Sequence, residues 1–181
     1  MSSHTVLTEH QSHRSFGGYQ KVYSHESKEL GCTMKFGVYL PPQVEERKLP
    51  VIYFLSGLSA TEQNFIIKSG AQRYAAEYGV ILVNPDTSPR GDHIPDDPDS
   101  MDFGIGAGFF VNATQEPWKK HFKIPIANPS KGPWGIKAFT GYFGPKSEEW
   151  NNWDATELVK KYNGPPFEVL IDQASQVIGI Q

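Results

Sequence analysis

Val51-Ile-Tyr-Phe-Leu-Ser-Gly-Leu-Ser-Ala60 joins a continuously apolar run to a small loop containing glycine. Residues 51–55 are β-branched or aromatic at several positions, the composition of a strand buried on both faces. Ser59-Ala-Thr-Glu62 fits a capping box, with Ser59 as N-cap and Glu62 at N3. Helical spacing then runs through Phe65, Ile66, Tyr74, Ala75 and Tyr78. Gly70 weakens the middle, and Gly79 suits the position just past a helix end. Residues 80–83 read as a second short buried strand, ended by Asn84-Pro85-Asp86. Strand, helix and strand in this order form a βαβ unit, so the expected class is α/β with a parallel sheet.

Outward from that unit the pattern changes. Residues 20–25 and 34–40 read as two strands, and in the second Met34, Phe36, Val38 and Leu40 alternate with Lys35, Gly37 and Tyr39. Pro41-Pro42 ends it. The two are expected to form an antiparallel pair at a sheet edge, joined around residues 29–32. Residues 1–15 are polar and carry His4, His10 and His13, and read as a frayed terminus rather than a metal site. Residues 87–118 show little periodicity, which in a compact domain points either to function or to elements that the pattern does not reveal. Residues 142–153 are turn-rich and aromatic. Asp154-Ala-Thr-Glu157 reads as a cap for a helix to Tyr162, and 167–171 as a last strand with Asp172 at its end.

Composition bounds the functions. A chain of 181 residues is expected to form one domain, and 38% hydrophobic content suits a globular core. The net charge of −3 and the absence of basic clusters argue against a nucleic-acid or anionic-membrane partner. No run is long enough to span a bilayer. A single cysteine, Cys32, forbids an internal disulfide and suits a reducing compartment, so a cytoplasmic location is expected. Cys32 itself reads as a small core residue, and Trp118, Trp134, Trp150 and Trp153 as core rather than a substrate platform. No metal or cofactor motif appears. Asp102-Phe-Gly104 lacks the phosphate loop of a kinase, and Gly104-Ile-Gly-Ala-Gly108 has the wrong spacing for a dinucleotide.

Ser56-Gly57-Leu58 follows a strand and precedes a helix, the place where an α/β-hydrolase supplies one oxyanion-hole N–H. By spacing alone most such turns are simply turns. Serine hydrolases of this class also need a nucleophile elbow, G-x-S-x-G, followed by an acid and then a histidine. No G-x-S-x-G occurs here, and no histidine follows His121. The nearest string, Asn128-Pro-Ser-Lys-Gly132, lacks the first glycine. Asp172 has no later histidine to orient.

Longer strings resemble one family. Leu55-Ser-Gly-Leu58, Thr61-Glu-Gln-Asn-Phe65, Pro85-Asp-Thr-Ser-Pro-Arg-Gly91, Asp102-Phe-Gly104, Pro117-Trp-Lys119, Pro133-Trp-Gly135 and Leu170-Ile-Asp-Gln173 stand in the order found in S-formylglutathione hydrolases, the esterase D family. The resemblance runs through nearly the whole chain to Gln173. It implies an α/β-hydrolase fold, here incomplete, as one domain over 1–181. It implies a serine thioesterase that cleaves S-formylglutathione to formate and glutathione, hydrolyses small esters, uses no metal or cofactor, and is commonly dimeric. Gly57 and Leu58 correspond to the oxyanion element of the early loop. Asp102, Phe103 and Gly104 correspond to a loop near the acyl pocket.

The departures fall on the catalytic parts. Between the Pro-Trp-Lys and Asn-Pro motifs the family has a helix, a strand and the elbow G-H-S-M-G-G. Here His121-Phe-Lys123 runs directly into Ile124-Pro-Ile-Ala127. The chain ends on Ala174-Ser-Gln-Val-Ile-Gly-Ile-Gln181 where the family continues toward its acid and its histidine. None of the triad residues is therefore expected. Removing a central strand leaves unpaired edges, so a marginal or aggregation-prone product without turnover is expected. Two alternatives remain: a non-catalytic partner of a full-length enzyme, or a site rebuilt around Ser59 or Ser130 with an early histidine as base.

Overall fold

A computed structural model describes residues 6–57, 59–100, 102–107, 113–122, 133–152 and 155–164. Among the described residues five strands form one sheet in the order β1-β2-β3-β5-β4. They are β1 (Leu7–Ser15), β2 (Gly18–Ser27), β3 (Cys32–Leu40), β4 (Val51–Tyr53) and β5 (Ile81–Pro85). The first three and β5 pair antiparallel, while β4 and β5 pair parallel. Helices α1 (Glu62–Lys68) and α2 (Ala71–Tyr78) connect β4 to β5, so the expected βαβ unit is present. Helices α3 (Pro133–Phe143) and α4 (Ala155–Leu158) follow.

The hairpin of β2 and β3 forms as expected, but it is not at the edge. Residues 7–15 are not frayed; they pair along β2 as an outer strand, with a bulge between Glu9 and Gln11. Phe16 and Gly17 turn that corner with φ of 45° and 81°. Two left-handed residues give the turn whose twist matches the flanking strands. All residues of β1 except Ser15 are exposed, so its pattern carries no hydrophobic alternation to read.

The expected single helix is two. Ser69 ends α1 and Gly70, at φ 64°, opens α2. The N-cap of α1 is Thr61, not Ser59: Thr61 Oγ1 accepts from Gln63 N at 3.1 Å, and Asn64 Oδ1 accepts from Thr61 N at 2.9 Å. Asn64 thus fills the place expected for Glu62. Gly79 closes α2 at φ 66°, where a left-handed residue relieves the last carbonyls.

Two apolar clusters sit on opposite faces of β3. Cys32 and Met34 join Trp118, Phe122, Phe139, Tyr142 and Trp150 in the larger one. Tyr39 and Leu82 meet Ala75 and Phe65 in the smaller one, beneath α1 and α2. Cys32, Trp118 and Trp150 are buried as expected, and burial pushes the Cys32 thiol pKa up. Trp134 and Trp153 are not among the residues whose side chains are described. The cap at Asp154, the strand at 167–171 and Asp172 lie outside the described residues.

The largest correction concerns residues 51–55, which read as a strand buried on both faces. Their relative exposures are 45, 53, 69, 43 and 46% from Val51 to Leu55. Among the described residues β4 has β5 on one side and no strand on the other. Tyr53, Leu55, Met34, Phe36, Val83 and Pro85 line an open trough of about 540 Å³ on one face. Among the described residues an interior composition therefore occupies an edge position.

Candidate functional site

The loop after β4 is held by bonds that reach two other loops. Ser59 stands at φ 61°, a left-handed conformation that costs a non-glycine residue energy and needs support. Its N–H donates to Gly106 O at 2.6 Å, and Ala60 N donates to Gly57 O at 3.1 Å. The Ala60 carbonyl accepts from Arg90 Nη2 at 3.2 Å and from Thr87 Oγ1 at 3.4 Å. Arg90 is fixed in turn by Asp86, with Nε 2.7 Å from Oδ2 and Nη2 3.3 Å from Oδ1. The fork geometry of guanidinium on carboxylate sets both groups in one plane.

Asp86 closes β5 and the start of the next loop. Its side chain is only 6% exposed. Burial lifts its carboxyl above the usual range, opposed by the Arg90 hydrogen bond and charge and by the Ser88 N–H. Ser88 N donates to Asp86 Oδ1 at 3.0 Å, and Ser88 Oγ accepts from Gly106 N at 2.8 Å. The 56–60 loop, the 86–91 loop and the 102–106 loop thus form one hydrogen-bonded unit.

The pocket residues named from sequence lie in that unit. Phe103 stacks on Trp118 with centroids 5.7 Å apart and tilts against Tyr142 at 5.4 Å. It anchors the loop to the larger cluster. Asp102 pairs with Lys137 of α3. Gly104 N donates to Tyr142 OH at 3.2 Å, and burial raises the Tyr142 pKa. Gly104 at φ 75° also packs against the Asp96 backbone where a Cβ would clash. The Arg90–Asp86 link was not identified from sequence as part of the site. Its signal is present in Pro85-Asp-Thr-Ser-Pro-Arg-Gly91, where an acid and a base stand four residues apart.

Gly57 is exposed beside a shallow cavity of about 300 Å³ lined by Phe54, Ser56, Gly57, Ala60, Asn64 and Phe65. Leu58, the other residue expected at the oxyanion element, lies outside the described residues, as does Ser130. A rebuilt nucleophile would need a serine and a histidine together near Gly57. His10 Nε2 does lie 2.7 Å from Ser24 Oγ. That pair sits on β1 and β2, however, and three strand spacings of about 4.8 Å separate β2 from β4. His121 is buried with Nδ1 2.7 Å from the Leu30 carbonyl, and its ring meets His93. Among the described residues no group of His, Cys, Asp and Glu could hold a metal, and no helix is long and apolar enough to cross a membrane.

Known proteins match both sequence and fold. A family described as "Putative esterase" matches residues 27–124. The S-formylglutathione hydrolase of Rattus norvegicus is 43% identical over 215 residues, covering 90% of this chain and 76% of that protein. Those of Mus musculus and Bos taurus are 42% and 40% identical, over 93% and 94% of this chain and 78% and 79% of theirs. A solved S-formylglutathione hydrolase from Agrobacterium tumefaciens superposes with a TM-score of 0.79 at 30% identity, covering 84% of this chain and 74% of that one. The rat alignment, at 215 residues, is longer than the 181-residue chain, so it opens gaps in this sequence. With its mixed sheet, its βαβ unit and these relatives, the chain belongs to the S-formylglutathione hydrolase family and has the α/β-hydrolase fold.

Proposed function

We propose that this chain is a shortened family member that keeps the oxyanion loop and its supports but cannot hydrolyse a thioester. The observation that carries the reading is the β4 edge. Residues 51–55 have the composition of an interior strand, yet they are exposed and unpaired on one side among the described residues. Loss of the neighbouring strand that bears the elbow would leave them so. The absence of any G-x-S-x-G and the alignment gaps support the same reading. The substrate class would be a small acyl thioester or ester, by likeness to relatives named S-formylglutathione hydrolase.

Without the nucleophile, the N–H that follows it in the oxyanion hole is lost as well. Removing triad residues leaves roughly 10³–10⁴-fold over water only when the rest of the site is intact. Gly57 and Leu58 alone polarise a carbonyl without a group to attack it. Residues 1–181 act as one domain in this reading, since both core clusters share β3. The single buried thiol suits the cytosol. The test is hydrolysis of S-formylglutathione and p-nitrophenyl acetate by the purified chain. Background rates support the reading, and turnover that saturates with substrate refutes it.

A further inference from the structure

A separate cavity, of about 350 Å³, opens between the start of β3, the first turn of α1 and the 86–91 loop. Thr33, Thr61, Glu62, Asp86, Ser88 and Arg90 line it, and none of them borders the cavity beside Gly57. Glu62 is only 5% exposed. Its Oε1 accepts from Gln63 Nε2 at 3.1 Å. Among the described residues no hydrogen bond reaches Oε2, and no lysine or arginine pairs with Glu62. The sealed side-chain atoms left without a partner, among the described residues, are Gln43 Oε1 and Trp150 Nε1. Glu62 Oε2 is therefore not sealed, and it opens on the cavity that Glu62 lines.

The hydroxyl hydrogens around this carboxyl are spent elsewhere. Thr33 Oγ1 donates to Glu26 Oε1, Thr61 Oγ1 to Asn64 Oδ1 at 3.5 Å, and Ser88 Oγ to Pro89 O at 3.1 Å. Thr61 and Ser88 each accept one backbone N–H besides. A hydroxyl has one hydrogen and two lone pairs, so all three oxygens can still accept and none can donate. Arg90 is turned to Asp86 and to the Ala60 carbonyl. Glu62 also raises the pKa of Asp86, so the two acidic groups feel one another through this space. The hydroxyls and Glu62 together offer acceptors and a negative charge.

We propose that this cavity binds a small primary ammonium carried on a short apolar chain. Three N–H donors on one positive centre match the Glu62 carboxylate and two hydroxyl oxygens. Met34, on the wall, meets the chain. A divalent metal does not fit, since no group of three His, Cys, Asp or Glu among the described residues could hold one. The bound ammonium ties the first turn of α1 to the 86–91 loop and stabilises the folded chain by mass action.

The test is titration of the full, isotope-labelled chain with n-butylammonium chloride at neutral pH, followed by backbone amide shifts. Saturable shifts are expected at Glu62, Asp86 and Ser88, with a dissociation constant on the order of 1 mM, ordinary for so small a ligand. Glu62→Gln weakens binding about ten-fold or more, because it removes a charged acceptor. Glu77→Gln, on the exposed face of α2, leaves it unchanged. n-Butanol keeps the chain and loses the charge, and binds the unmodified protein about ten-fold more weakly or worse. That comparison keeps the test independent of any folding defect in Glu62→Gln. No saturation at these amides, as when the exposed Lys35 at the rim closes on Glu62 itself, overturns the proposal. So do equal shifts with sodium chloride at the same ionic strength, or equal binding by Glu62→Gln.

Discussion

Arg90→Met removes the cation that joins the 86–91 loop to Ala60 of the 56–60 loop. It leaves Asp86, 6% exposed, without its partner, and takes the Nη2 donor from Ala60 O. Breaking a buried ion pair from one side costs about 3–5 kcal/mol. Arg90 is 34% exposed, so solvent screens the pair and reduces the expected cost to about 1–3 kcal/mol at neutral pH. Against a total stability of about 5–15 kcal/mol this moves a urea midpoint measurably. The pH dependence follows from Asp86. Its folded pKa is raised, so the fold binds its proton more tightly than the unfolded chain does. Stability from this group is therefore present at low pH and falls as pH rises through the raised value. Removing Arg90 takes away an influence that lowers this pKa and so enlarges the fall. The cost of Arg90→Met is expected to shrink between about pH 7 and about pH 5, and Asp86→Asn in the same chain to recover most of it. Urea unfolding followed by the fluorescence of buried Trp118 and Trp150 reads all three quantities. A cost that is absent at neutral pH, or the same at both pH values, would refute the coupling.

Two further substitutions probe the supports of the same region. Tyr142→Phe deprives the buried Gly104 N–H of its acceptor and is expected to cost about 1–3 kcal/mol in chemical unfolding, with faster amide exchange at Gly104; unchanged exchange there would contradict the assignment. Gly37→Ala would put a methyl 2.7 Å from both Ile66 Cδ1 and Asn84 Nδ2, the latter donating to Glu62 O at 2.6 Å. Overpacking at that seam is expected to cost about 1–3 kcal/mol in thermal unfolding, and a neutral result would mean α1 can lift from the sheet freely.

Local signals in the sequence reached some elements and missed others for physical reasons. The β2–β3 hairpin, the βαβ unit and the left-handed Gly79 were legible because each depends on a few neighbouring residues. β1 was not, because a strand exposed almost throughout has no alternation to show. The capping box fell two residues late because Thr61 and Asn64 can satisfy the same donors as Ser59 and Glu62. α3 was not read as a helix, because Gly135 and Gly141 weaken the run. Its buried face becomes evident only in three dimensions, where Tyr142 meets Phe103 and Trp118 and Phe139 meets Trp150.

The site divides in the same way. Gly57, Asp102, Phe103 and Gly104 were marked by motif resemblance, and the fold links their loops through Ser59–Gly106 and Ser88–Gly106 contacts. The Arg90 bond to Ala60 spans thirty residues and cannot be seen in a local window. The reading of 51–55 as doubly buried took from composition what only neighbours can supply. Apolar side chains state what a strand is suited to meet, not whether the chain still provides it.

The most direct test of the central claim is the initial rate of S-formylglutathione hydrolysis by the purified full chain. It is measured beside buffer alone and beside the chain with Ser59→Ala, the serine of the 56–60 loop that a rebuilt site would use. The expected result is the buffer rate in all three, with no dependence on protein concentration. A rate that rises with protein, saturates with substrate and is lost in Ser59→Ala would show an assembled nucleophile and contradict the account.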